Sequence, residues 1–233
     1  MSISGGPDIV ENGLVLHLDA ADSNSYTGSG TTWTDLTGNG YNGTLTNGPT
    51  YSSNNKGCFI LDGTDDRVDC GTNFSTYLTG TNSFTIECFI YPQNTQALYA
   101  DIWGNHTDNK TGLSCQQNGN NTNQFGWGWG DGSAWGPGSG HFSINALKWN
   151  CLCCVRNGSL LLTYLNGILI LTATDSSSLA PNTSFNFQIG TGYNLNSARK
   201  FKGNISNFRI YSRALSASEV LQNYNATKGR FGL

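Results

Sequence analysis

Charge is scarce in this sequence. Lys, Arg, Asp and Glu make up 12% of its 233 residues, about half the usual quarter. The net charge of −3 offers no electrostatic footprint for nucleic acid or for an anionic membrane. No apolar run approaches the roughly 20 residues needed to span a bilayer. The opening MSISGGPDIVENG has neither the basic nor the apolar region of a secretion leader. Glutamate occurs only at Glu11, Glu87 and Glu219. Glu87 has no acidic partner two or five residues on, and Glu219 is claimed by a helix cap, so the carboxyl pair of a glycosidase has no local source. A distant aspartate could still complete one. There is no Gly-x-Ser-x-Gly elbow and no Gly-x-x-x-x-Gly-Lys loop. His17, His106 and His141 are scattered, the first in a strand and the others in polar loops. A binding protein fits these absences better than an enzyme.

Polarity comes instead from Asn, Thr, Ser and Gly, which separate many short apolar runs. That is the pattern of an all-β sandwich, and the length suits a single domain with a sizeable core. LVLHLD, GCFILDG and SFTIECFIYP read as strands. In the last, Phe84, Ile86, Cys88 and Ile90 face one way, Thr85 and Glu87 the other. LYADIWGN, GLSCQQN and NQFGWGW are weaker candidates. Asn157-Gly158 and Asn166-Gly167 mark hairpins around SLLLTYLNG, and ILILTAT, SFNFQIG and FKGNISNFRIYS complete the strands. One short helix is expected over Ala217 to Ala226, capped by Ser216 and Glu219, with Val220, Leu221 and Tyr224 as its apolar stripe. Residues 1–12 read as an arm, 13–226 as the domain and 227–233 as a tail.

The seven cysteines, an odd number, lie mostly inside apolar runs and read as reduced, buried hydrophobes of a protein folded in a reducing cytosol. Cys151 and Cys154 have redox-motif spacing, but on a strand they point to opposite faces, and no further Cys or His pair completes a zinc set.

The stretch FGWGWGDGSAWGPGSG carries three of the six tryptophans. Phe125, Trp127 and Trp129 recur at period two, so all three share one face of a strand. The rings fill the core, leaving the glycine face bare for a neighbouring backbone or a covering loop. The other reading is an exposed aromatic face stacked on sugar. Trp135 sits among too many Gly and Pro residues for a strand and is the better contact residue. Trp33 and Trp149 read as core, whereas Trp103 stands at a strand end. Trp135, Asp131, Asn105, His106 and Trp103 are the candidate ligand contacts. In LDGTDDRVD, Asp62, Asp65 and Asp66 are candidate Ca²⁺ ligands, as hard oxygens on one turn. The competing reading is an ordinary turn whose aspartates bond their own backbone, with Arg67 neutralising one of the carboxylates.

Several segments together resemble one family: WTDLTGNGYNGTL (33–45), FILDGTDDRVDCG (59–71), SFTIECFIYP (83–92), YLNG (164–167) and FKGNISNFRIYSRALSASEVLQNYN (201–225). They are similar to the laminin-G-like, concanavalin A-like lectin/glucanase sandwiches, in that family's order. The opening GLVLHLDAADSNSYTGSGTTWTDL resembles the version in structural proteins of tailed phages, especially marine ones. The resemblance implies a jelly roll of two packed antiparallel sheets, with the first strand meeting the last. It also implies a virion protein made in the host cytoplasm and exposed at the particle surface, as a capsid decoration or tail-fibre component. Such a protein docks on another virion protein, here through Ile3 to Val10 and the tail GRFGL, and engages polysaccharide weakly. A homo-oligomer suits a symmetric particle, although no residue pattern sets the number of subunits. The alternative is a lectin for host recognition, and a distant third is a polysaccharide-degrading enzyme. The fold itself hosts all three.

Overall fold

A computed structural model describes residues 8–192 and 197–233. In chain order the strands are β1 (Leu14–Asp19), β2 (Thr32–Trp33), β3 (Gly43–Thr46), β4 (Thr50–Ser52), β5 (Cys58–Asp62), β6 (Arg67–Asp69), β7 (Phe84–Pro92) and β8 (Asp101–Gly104). They continue with β9 (Leu113–Gln117), β10 (Gln124–Trp129), β11 (Phe142–Ser143), β12 (Asn150–Asn157), β13 (Leu160–Leu165), β14 (Ile168–Thr174), β15 (Gln188–Ile189) and β16 (Lys202–Tyr211). The helix α1 (Ala217–Thr227) follows. Two sheets form, in the orders β14-β13-β12-β7-β16-β5-β4 and β11-β10-β9-β8-β15-β6-β3-β2, with β1 joined to the first through β16. Among the described residues every pairing between these strands is antiparallel, so the expected jelly-roll sandwich is the fold, with the first strand on the last. Among the described residues no helix is long and apolar enough to cross a membrane.

The period-two pattern places the core. Phe84, Ile86, Cys88 and Ile90 of β7 meet Phe125, Trp127 and Trp129 of β10 from the opposite sheet, all of them buried. Trp127 keeps its indole N–H satisfied by donating to Thr163 Oγ1 at 2.9 Å. Trp33 is fully buried in the same core. Cys154 points into it, while Cys151 and Cys153 lie on the outer face of β12, as strand alternation requires. All seven thiols are free and buried. The hairpin at Asn166-Gly167 forms with both residues at positive φ. The preceding one moves by a residue, because Asn157 pairs with Leu160 and leaves Gly158 and Ser159 in the turn.

The outer face of the first sheet is covered by the chain's end. Ser216 and Glu219 cap α1 reciprocally. Val220 packs on Cys153, Val155, Tyr164 and Tyr211. The expected stripe is corrected on one side. Leu221 is exposed, and Asn223 is buried in its place, because its amide donates to Tyr211 Oη at 2.9 Å and its Oδ1 accepts from Val10 N at 2.8 Å. The tail packs back on the domain, with Gly232 and Leu233 left exposed. Phe231 is buried and stacks on Phe89 with centroids 4.7 Å apart, and Arg230 forms an ion pair with Asp19 at 2.8 Å. Trp149 is buried in that same satellite cluster, outside the sandwich interior. Of the arm expected to dock through Ile3 to Val10, residues up to Pro7 lie outside the described residues. Val10 is buried and its carbonyl accepts from Tyr211 Oη at 2.9 Å.

Under α1, Glu87 accepts from Arg209 Nη1 at 2.6 Å, both side chains being buried. His17 lies nearby on β1, with its Nε2 buried and unpartnered. Burial first, and the Arg209 charge second, lower its pKa to about 3. Below pH 6.5 the unfolded chain therefore takes up a proton that the folded one refuses, so stability falls as pH drops from 6.5 toward 3. His17 alone costs about 2 kcal/mol between pH 7 and pH 5. Denaturant melts of the wild type and of His17→Gln across that range should differ by this slope.

Candidate functional site

The glycines of β10 decide where a ligand can lie. With Phe125, Trp127 and Trp129 turned inward, Gly126 and Gly128 present bare backbone on the outer face. The segment 136–140 folds across part of it. A Cβ at Gly126 would sit 2.7 Å from the Gly140 carbonyl oxygen, and one at Gly128 would sit 2.9 Å from Gly138 Cα. Only glycine allows this approach. The segment is stitched down by Gly136 N donating to Trp129 O at 3.0 Å and Ser139 N to Trp127 O at 2.8 Å. Asp175 anchors it from the side, accepting from Gly138 N at 3.3 Å.

What remains open is a cleft of two adjoining lobes, about 170 and 180 Å³. Tyr99, Gln116 and Trp135 line both lobes. Tyr99 is 41% and Trp135 43% exposed, large aromatic surface left in solvent. Tyr99 holds a left-handed backbone with φ of 55°, a strained state for a bulky residue that persists only where its surroundings impose it. His141 borders the first lobe, and His106, Asp108 and Arg199 the second. Arg199 donates to Gln116 Oε1 at 3.3 Å and lies 5.0 Å over the Tyr99 ring. These groups combine apolar ring faces with amide, imidazole and guanidinium donors, the chemistry of a polyhydroxyl ligand with one apolar side.

The expected contact residues divide. Trp135 lies at the cleft, exposed on its loop as expected. His106 also lines it but is buried. Its Nε2 is hydrogen-bonded to Asp101 Oδ2 at 3.4 Å, and its ring stands edge-on to Trp135 with centroids 5.3 Å apart. Burial raises the Asp101 pKa, and His106 opposes that rise. Asp131 builds the turn that carries Trp135. Its carboxylate accepts from Ala134 N at 2.6 Å and from Ser133 N at 2.7 Å, and those bonds hold its pKa down to about 2.

Asn105 is not a contact. It is buried, bonded to Asn182 O at 3.4 Å and to Leu113 N at 3.2 Å, and joins two loops. Trp103 is not one either. It is fully buried, stacked on Phe187 with centroids 6.2 Å apart, because β8 is an inner strand between β9 and β15. Tyr99, Gln116, His141 and Arg199 were missed by sequence reasoning. They come from four separate segments, and only folding assembles them.

Asp62, Asp65 and Asp66 bring carboxylate oxygens within 4.8 Å of one another. Two of them already serve the turn: Asp62 accepts from Thr64 N at 2.7 Å, and Asp66 accepts from Asp62 N at 3.0 Å. Burial raises the Asp66 pKa, which disfavours the charged form a cation needs. Asp69 turns away to pair with Arg67 at 3.1 Å. The turn accounts for two of the three carboxylates without a cation, so neither added Ca²⁺ nor EDTA should move the melting temperature. A rise of several degrees with Ca²⁺ would assign a cation to these three aspartates.

The fold is a concanavalin A-like β-sandwich of two antiparallel sheets. A profile of the concanavalin A-like lectin/glucanases superfamily matches residues 62–221, and the chain belongs to that family. No curated protein sequence matches it significantly. Among solved structures, domain 4 of the Geobacillus stearothermophilus arabinanase AbnA, in complex with arabinotriose, aligns over 92% of this chain and 100% of its own. Its TM-score is 0.68 at 20% identity. The binding domain of Paraclostridial mosquitocidal protein 1 aligns over 92% of this chain and 52% of its own, with TM-score 0.70 and 17% identity. The sialidase of Trypanosoma rangeli aligns over 97% of this chain and 35% of its own, with TM-score 0.69 and 14% identity. The chain thus spans about half of the toxin domain and a third of the sialidase. At these identities the likeness is one of fold.

Proposed function

We propose that this domain binds a glycan in the cleft between Tyr99 and Trp135 and carries out no chemistry on it. One observation carries the reading: two half-exposed aromatic rings border a polar, glycine-floored cleft. Ring faces stack on the C–H face of a sugar, while Gln116, His141 and the bare backbone of β10 meet its hydroxyls. The lack of turnover is supported by the carboxylates. Of the described residues lining the two lobes, only Asp108 carries one, and glycoside hydrolysis uses two. Glu87 sits on the outer face of the other sheet, bonded to Arg209, with the core between it and the cleft. A glycan array probed with the whole chain tests the binding. Several hits sharing one sugar unit are expected, without reducing ends released on prolonged incubation. A blank array from folded protein would overturn the reading, and released ends would make the domain an enzyme.

The setting proposed for it is the surface of a phage particle, docked on another virion protein after folding in the host cytoplasm. Its support is the likeness of residues 13–36 to tailed-phage structural proteins, together with seven thiols that are free and buried. With the tail packed on its own domain, docking falls to other surfaces. Added protein should bind particles that lack it, and failure to bind would leave the glycan reading standing without the virion one.

A further inference from the structure

The two lobes of the cleft differ in charge. Among the described residues lining the first, none is Lys, Arg, Asp or Glu. Its walls are glycine backbone, amides, hydroxyls, aromatic rings and His141. The second lobe is lined by Arg199 and Asp108 beside His106, Gln116 and the two shared rings. Arg199 is held there by two contacts. Its Nη1 donates to Gln116 Oε1 at 3.3 Å, and its guanidinium lies 5.0 Å over the Tyr99 ring. Tyr99 is fixed in turn. Its backbone N donates to Gly119 O at 3.4 Å, and a Cβ at Gly119 would sit 3.8 Å from the ring.

A guanidinium placed in this way keeps its planar fork of N–H groups pre-oriented, so little freedom is lost when it takes an oxyanion. Gln116 adds to the donor side. With its Oε1 turned to Arg199, the end left for a ligand is its NH2 group. The other charges nearby are answered inside the fold or screened. Lys200 is buried and donates from Nζ to Thr191 Oγ1 at 3.2 Å. Asp101 is buried too. Burial raises its pKa, and His106, Arg199 and Lys200 oppose that rise. Asp108 is exposed, where water and salt screen its charge. Arg199 is half-buried, so its charge reaches a ligand with less screening.

We infer that the second lobe takes an acidic sugar unit, its anionic oxygens held by Arg199 and Gln116, while the first lobe takes a neutral unit of the same chain. This inference rests on the glycan reading of the cleft. Carboxylate and sulfate share the chemistry, since each offers a pair of oxygens to the guanidinium fork. Arg199 is then the residue that sets specificity. A neutral unit in the second lobe covers the guanidinium without giving it a counter-charge, so the preference has a repulsive part as well as an attractive one. Tyr99 and Trp135 line both lobes and are open to the ring face of either unit.

Matched glycans on one array test this with the whole chain. The sets are uronic acid oligosaccharides, the same chains with their carboxyls reduced to alcohols, and those reduced chains carrying 6-sulfates. Acidic members should bind at least about tenfold tighter than neutral ones, the scale of one charged hydrogen-bonded contact. The gap should narrow as salt rises. Which acidic set binds tells carboxylate from sulfate. Arg199→Gln should close the gap at an unchanged melting temperature. Arg199→Lys should keep only part of it, because an ammonium lacks the fork. Asp108→Asn is the opposing variant and should tighten acidic members alone. Equal affinity for acidic and neutral members would overturn the inference and leave the glycan reading standing. A gap that persists in Arg199→Gln would also overturn it, placing the acidic contact elsewhere. Folded protein that binds no member of any set would fail the glycan reading itself.

Discussion

If the cleft binds glycan as proposed, Trp135→Ala should weaken that binding by at least about tenfold and leave the melting temperature within about one degree of the wild type. The binding loss follows from what the ring offers. Exposed aromatic anchors at a cleft carry a large share of binding energy, about 2 kcal/mol or more on truncation. The unchanged stability follows from how the loop is held. Trp135 is 43% exposed, and its loop is fixed by backbone bonds to β10 and by the Asp131 turn, neither of which uses the indole. Trp127→Ala is the contrasting control. That ring is buried against Phe84 and bonded to Thr163, and its loss costs about 3–5 kcal/mol of stability. Tyr99→Gly separates the two quantities further. Glycine takes the left-handed backbone without strain but adds freedom to the unfolded chain, and the two effects nearly cancel. Binding should drop while the melting temperature holds. Isothermal titration with a glycan found on the array, beside thermal melts of all three variants, gives both readouts. Undiminished affinity in both Trp135→Ala and Tyr99→Gly would remove the cleft as the site.

How far the sequence could be read depended on the range of the interactions. Strand periodicity is local, so Phe84 to Ile90 and Phe125 to Trp129 could be assigned to their faces from spacing alone. The glycine face of β10 could likewise be foreseen as a seat for neighbouring backbone. The cleft could not. Tyr99, Gln116, Trp135 and Arg199 are separated by up to 100 positions, and no spacing rule links them. Trp135 alone stood out, as a tryptophan in a stretch unfit for a strand. Trp103 misled for the opposite reason. Beside Gly104 and polar Asn105 it looked terminal, yet its ring faces the inter-sheet core and stacks on Phe187, from far along the chain. The helix misled in a similar way. An apolar stripe predicts burial of Leu221, but the surface beneath α1 holds the Glu87 carboxylate and the Tyr211 hydroxyl. A polar Asn223 is what satisfies them.

That buried polar layer carries the largest expected effect on stability. Arg209→Met should destabilise the domain by about 3–5 kcal/mol. Glu87 and Arg209 sit across from each other on β7 and β16, both buried, with Nη1 and Oε1 2.6 Å apart. Burial pushes the Glu87 pKa up, and the guanidinium draws it back. Removing the arginine leaves only the Asn223 amide to oppose burial, so the carboxyl is driven toward its protonated form in the folded state. The raised folded pKa makes the Glu87 contribution to the variant's stability greatest at low pH and has it lost as pH rises through that pKa, opposite in sign to the His17 contribution. Glu87→Gln in the same background removes that charge and should restore part of the loss, flattening the pH dependence. The pair then appears as a coupling in a double-mutant cycle, measured by denaturant melts at pH 5 and pH 8. The glycan site should be indifferent to all of this, because the layer and the cleft lie on opposite sides of the sandwich. A double variant that recovers part of the lost stability and still binds glycan would identify the Glu87–Arg209 pair as a structural element that the cleft does not need. Loss of a measurable hydrolytic activity in Glu87→Gln, with the fold intact, is the outcome that would reverse that assignment.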